Sequence, residues 1–285
     1  MVEIEKMESG TTRPPRSKSM VGVVGSGSMA TQLSALLSCL RIESLLLISD
    51  RRNKEETLQR VCRARKRIGK AIDAHESHAL VVIENFDNSM MLDRCKLVIE
   101  CGAERLDDKL VYISGLKERF DGFIATNTSS FSPCLFGADV IGVHFMNPIE
   151  TPIIEVTENC PPKLYDFLLE IFGEHHKLIR VPNRAGYIVN RILFGQISLA
   201  IALLEDADMR SSIGELEDLI DLSWVSKGLK LVDLIGVDVT ASIIENLEAE
   251  VDYIYGSDCL KRALANNVLG KKNKTSLARF ISSEL

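Results

Sequence analysis

The chain is 285 residues long, 46% apolar and 26% charged, with a formal net charge of -6 at pH 7. That length suits two domains better than one core. The negative balance argues against a nucleic-acid partner, and nothing reaches the roughly 18 uninterrupted apolar residues of a membrane span. The seven cysteines (39, 62, 95, 101, 134, 160 and 259) are odd in number and contain no CxxC pair. This argues against a disulfide or zinc framework and for a reducing compartment, so a soluble cytoplasmic protein is expected.

Residues 1–18 read as a disordered tail that mixes Glu3, Glu5 and Glu8 with Pro14-Pro15 and lacks apolar periodicity. Its acidic residues argue against a transit peptide. Order begins at Met20-Val21-Gly22-Val23-Val24, a buried-strand pattern running into Gly25-Ser26-Gly27-Ser28-Met29-Ala30 and then an apolar helix to Leu40. Strand, glycine turn and helix in that order are what a dinucleotide-binding loop requires. Gly25 allows the tight turn, Gly27 lets backbone approach a pyrophosphate, and Ala30 keeps helix and strand close. A second apolar run, Leu45–Ile48, leads to Asp50, 25 residues after Gly25, near the spacing at which an acid meets the adenosine ribose. Asp50 favours NAD, since a carboxylate repels a 2′-phosphate, while Arg51 and Arg52 keep NADP open.

Glu55–Ala74 is helical and basic, carrying Arg60, Arg63, Arg65, Lys66, Arg67 and Lys70. Such a run serves either as a solvated face or as a dock for a phosphorylated substrate. Strand patterns follow at Leu80–Ile83, Lys96–Glu100, Phe123–Thr126 and Val140–His144. Their alternation with helical stretches predicts a parallel doubly wound sheet, with ligands outside the strand C-terminal ends. Glu104, Asn127-Thr128-Ser129-Ser130 and His144 fall at those ends.

Val140–Val156 is the stretch whose residues could carry acid–base chemistry. It delivers His144, turns at Asn147-Pro148, and brings up Glu155 on a second apolar run. Histidine exchanges protons near neutrality, and a carboxylate on one ring nitrogen sets the tautomer of the other. A buried His–Glu pair can equally be structural, and these two residues alone leave both readings open. His75, His78, His175 and His176 read as surface histidines with no metal-ligand pattern.

After Val181-Pro182 the pattern becomes all-helical. A long helix is expected from Gly186 to about Leu204, then helices at Glu215–Leu222, Lys230–Leu234, Ala241–Ile254 and Leu260–Leu269, with an irregular end from Gly270. The expected architecture is an α/β, Rossmann-like doubly wound domain over 19–182 followed by an all-α domain over 183–285.

In family order and spacing, the segments VGVVGSGSMA, LVIECGAE, ATNTSS, IGVHFMNP, GYIVNR, LVDLIGVD and LGKK resemble the short-chain L-3-hydroxyacyl-CoA dehydrogenases, which include bacterial 3-hydroxybutyryl-CoA dehydrogenases. The resemblance spans about residues 20–275. It implies NAD-dependent interconversion of 3-hydroxyacyl-CoA and 3-oxoacyl-CoA, an acyl-CoA substrate and a homodimer. His144 matches the general acid/base and Glu155 the carboxylate that orients it. Ser129 and Asn190 match the groups that hydrogen-bond the reacting oxygen, and Glu104 and Lys109 match cofactor contacts. The basic helix would then meet coenzyme A phosphates.

Three departures stand out. The stretch from His144 to Glu155 is one residue shorter than is usual in the family, which bears on whether Glu155 still reaches the imidazole. Trp224–Gly228 replaces a Met-Gly-Pro loop, and Asn273–Ser276 replaces a Gly-x-Gly-Phe-Tyr segment, both in the half that shapes the acyl pocket and the dimer. The alternatives are a dehydrogenase of another hydroxy acid, L-gulonate-like, and a catalytically silent cofactor-binding relative.

Overall fold

Short, largely buried runs of Val, Ile and Leu assemble into one eight-stranded sheet. The structure, a computed structural model, describes residues 20–49, 51–74, 78–206, 209 and 223–283. In chain order the first part contains β1 (Met20–Val24), α1 (Ser28–Cys39), β2 (Ser44–Ile48), α2 (Lys54–Ala71), β3 (Val81–Asn85), β4 (Cys95–Glu100), α3 (Leu106–Lys117) and β5 (Phe123–Thr126). It continues with β6 (Ile141–Phe145), β7 (Ile153–Thr157), α4 (Pro162–Phe172) and β8 (Lys177–Val181). The strand order is β3-β2-β1-β4-β5-β6-β7-β8, so the winding reverses between β1 and β4. In open α/β sheets, ligands bind outside the strand ends at such a reversal.

The strands from β1 to β6 pair in parallel, as expected. The next strand, β7, runs antiparallel to β6. The connection from Phe145 to Ile153 is too short for a crossover helix, and only a hairpin-like return fits it. β8 then pairs in parallel with β7. β8 carries no clear strand pattern in the sequence, because Lys177 and Arg180, exposed on this edge strand, interrupt its apolar run.

The chain divides into two units. One comprises the described residues through Thr128 together with Pro133–Arg184; the other comprises Ser129–Ser132 and the described residues from Ala185 onward. In the first, α1 is almost wholly buried because it packs against both the sheet and α2. α2 starts at Asn53, whose side chain accepts from the amides of Glu55 and Glu56 at 2.8 and 3.2 Å, and it ends near Lys70, complementing the helix dipole.

The second unit contains α5 (Val189–Glu205), α6 (Ser223–Ile235), α7 (Val237–Glu248), α8 (Asp258–Ala265) and α9 (Leu277–Ser283). Phe194, Ile197 and Ile201 of α5 share a core with Val232, Ile244, Leu247, Leu260 and Leu277. Several boundaries move: the helix expected at 230–234 begins seven residues earlier, at Ser223, and the one expected to reach 254 ends at Glu248. The end expected to be irregular forms α9, because Leu277 and Ile281 bury one face and Asp233 Oδ1 accepts the Leu277 amide at 2.8 Å. The motifs LVDLIGVD and LGKK interlock here, with Lys272 Nζ 2.6 Å from Asp238 Oδ1 and Gly270 packed on the Asp233 carbonyl. The helix expected at 215–222 and the tail at 1–18 lie outside the described residues, as does His75.

His176 corrects the expectation of a surface histidine. It is only 3% exposed, its Nε2 donates to the Ile149 carbonyl at 3.0 Å, and its ring meets Phe172 edge-on at 6.1 Å. The following strand carries the ring under the turn after β6, which no local pattern announces.

Candidate active site

The glycine turn joins β1 to α1. Gly25 takes a φ of +128°, and a Cβ there would lie 2.6 Å from the Cys101 carbonyl oxygen. The backbone is thus pressed against the chain leaving β4. Gly27 has nothing within 4 Å of a built Cβ. The N-terminus of α1 has no side-chain cap and no acid in its first turn, so its amides and dipole face an open cradle of the kind that receives phosphates. Ala30 is fully buried. Arg60 of α2 donates to the Ser26 carbonyl at 2.9 Å and steadies the turn from behind. This cradle fits a dinucleotide; Asp50, the expected ribose acid, lies outside the described residues.

Beside the turn, β4 ends in Glu100, level with Val24 of β1. Its carboxylate accepts from Lys109 Nζ at 3.1 and 3.2 Å, from Thr126 Oγ1 at 2.7 Å and from the Gly102 amide. Lys109 Nζ also lies 3.2 Å from Glu104 Oε2, while Glu104 Oε1 accepts from Thr128 Oγ1 at 2.6 Å. Burial alone would pull the Lys109 pKa down. Glu104 and Glu100 outweigh it and hold the ammonium above its ordinary value. The two expected cofactor contacts, Glu104 and Lys109, are therefore brought together.

His144 and Glu155 stand directly opposite each other on β6 and β7. Paired residues of an antiparallel ladder project from the same face, and the ring Nδ1 lies 2.8 Å from Glu155 Oε2, with both side chains buried. The shortened connection leaves this register intact. Asn127, just past β5, accepts the Phe145 amide on its Oδ1 at 2.8 Å and so pins the strand next to His144. The turn after β6 is held by Arg67 of α2, 2.6 Å from Glu150 Oε1.

In the second unit, Asn190 sits in the first turn of α5 and its Nδ2 donates to the Ser129 carbonyl oxygen at 2.9 Å. Asn246 of α7 donates to Ser130 Oγ at 2.9 Å. Arg191 Nε donates to the Ala185 carbonyl at 2.8 Å, locking the turn that starts α5. Ser129 and Asn190 are thus neighbours. Sequence reading missed Glu100 and Asn246. The first had a signal, an acid closing an otherwise apolar strand; the second had none.

The 3-hydroxyacyl-CoA dehydrogenase NAD binding domain matches residues 20–173, and the 3-hydroxyacyl-CoA dehydrogenase C-terminal domain matches residues 186–279. The chain is 30% identical over 224 residues to a 3-hydroxybutyryl-CoA dehydrogenase of Clostridioides difficile, covering 72% of this chain and 78% of that one. It is 25% identical over 278 residues to a 3-hydroxybutyryl-CoA dehydrogenase of Mycobacterium tuberculosis, covering 89% and 95%. The crystal structure of the (S)-3-hydroxybutyryl-CoA dehydrogenase of Ralstonia eutropha shares the fold with a TM-score of 0.71 at 20% identity, over 92% of this chain and 98% of that one. The chain belongs to the 3-hydroxyacyl-CoA dehydrogenase family and carries its NAD-binding domain.

Proposed function

We propose that the protein is an NAD-dependent dehydrogenase interconverting 3-hydroxyacyl-CoA and 3-oxoacyl-CoA. The observation that carries this reading is the buried His144–Glu155 pair at 2.8 Å at the carboxyl end of β6. Glu155 accepts from Nδ1–H and directs the other nitrogen, Nε2, toward the substrate, where it takes the 3-hydroxyl proton or returns it to the 3-oxo oxygen. Glu155 also stabilises the imidazolium formed when the proton is taken, a charge-assisted contact. Ser129 and Asn190 hydrogen-bond the same oxygen and fix its position. Bound NAD supplies the redox half of the chemistry. The residues that hold it are the turn Gly25–Ala30, Asp50 and Glu104; Lys109, only 1% exposed, lies behind Glu104 and supports it.

The exposed side chains Arg63, Lys66 and Lys70 of α2 offer coenzyme A phosphates a basic face. In this reading, cofactor binding belongs to residues 19–182 and substrate binding and dimerisation to 183–285. Ile188, Ile192 and Leu199 are exposed along one side of α5, an apolar stripe suited to a second copy of the chain. No helix among the described residues is long and apolar enough to cross a membrane. The test is NADH oxidation by the purified chain with acetoacetyl-CoA, set against free acetoacetate and against NADPH. Turnover confined to the thioester with NADH is expected; preference for the free acid would transfer the chain to another hydroxy-acid substrate.

A further inference from the structure

Glu100 is a buried charge that the reaction does not use. It has no exposed surface, yet both oxygens are occupied: the Gly102 amide and Lys109 on Oε1, Thr126 Oγ1 and Lys109 on Oε2. A buried ion pair is seldom the most stable filling for such a space, since apolar side chains of similar volume often do as well or better. Here two carboxylates share one ammonium. Lys109 is 1% exposed, while Glu104, the outer member, is 15% exposed. Of these three side chains, Glu104 is the one that reaches solvent. The inner end is bolted to the ends of β4 and β5 and to the first turns of α3. The Cys101 amide, next along from Glu100, donates to the Val24 carbonyl at 2.8 Å beside the glycine turn.

We infer that Glu100 is the positioning residue of the cofactor site: it anchors Lys109 from beneath so that Lys109 holds Glu104 in the orientation that meets the dinucleotide. This rests on the reading of Glu104 as a cofactor contact, with Lys109 supporting it. Without Glu100, the ammonium has a single carboxylate partner and draws Glu104 inward. Glu100→Gln preserves shape and removes the charge, and part of its amide faces the ammonium with N–H instead of oxygen.

The experiment is NADH binding by fluorescence titration on the folded full-length chain, with steady-state kinetics on acetoacetyl-CoA alongside. Glu100→Gln is expected to raise the NADH dissociation constant about tenfold, the worth of one charge-assisted hydrogen bond, with the loss appearing in KM for NADH rather than in kcat. Glu100→Asp keeps the charge at shorter reach; it is expected to give a smaller loss of affinity and serves as the decisive variant should Glu100→Gln not fold. NADH affinity within twofold of wild type in the folded variant, with only the thermal midpoint lowered, overturns the proposal. Glu104→Gln separates the two levels: if it weakens NADH binding and the Glu100 variants do not, Glu100 is structural only and the cofactor-site reading stands. If neither position affects binding, both fall.

Discussion

Single side chains at this site act mostly by holding backbone. Asn127 is the clearest case, because its Oδ1 satisfies the buried Phe145 amide one residue from His144. Asn127→Ala leaves that N–H without its acceptor, which costs about 1–3 kcal/mol; urea unfolding is expected to show the loss, and an unchanged midpoint would contradict it. His176 gives a pH signature. Burial, with a smaller push from His175, sets its pKa below the ordinary 6.5, against the raising effect of its Ile149 hydrogen bond. The unfolded chain therefore binds a proton near 6.5 that the folded one refuses. Stability from this group is complete above 6.5 and drains away as pH falls below it. Between about pH 7 and pH 5 the thermal midpoint of wild type is expected to fall more steeply than that of His176→Gln, which keeps a donor but does not titrate. Equal slopes would contradict this.

Among elements, the β1–turn–α1 unit separates steric from binding roles. Gly25→Ala places a methyl against the Cys101 carbonyl and forces φ +128° on a side chain, so loss of folding stability is expected. Gly27→Ala meets nothing in the protein; the fold should hold while NADH affinity drops, because the methyl enters the space the phosphates need. Equal thermal midpoints for the two variants would undo this distinction. This element was legible in the sequence because its three parts are local and each residue type has one physical use. The β6–β7 hairpin was half legible: both apolar runs were visible, but their direction was set by a short connection rather than by composition. β8 and α9 escaped notice because edge charges and a long-range cap from Asp233 define them. Glu100 was passed over for a related reason, since a strand-ending acid shows its role only when Lys109 and Thr126, distant in sequence, are brought to it.

At the scale of the whole molecule, composition and motif order were enough to anticipate a doubly wound α/β part followed by an all-helical part, since each rests on periodicity sustained over many residues. The helical part was less sharply bounded, because its ends depend on packing between helices. The shorter His144–Glu155 connection does not break the pair: the antiparallel register sets the two residues directly opposite each other, 2.8 Å apart. That pair is the centre of the account, and one comparison tests it most directly: NADH oxidation with acetoacetyl-CoA by wild type and by His144→Gln, with NADH binding measured on both. The account predicts unchanged binding and turnover reduced about 10²–10⁴-fold, the share supplied by a positioned acid–base group. Near-normal turnover in the variant would contradict it.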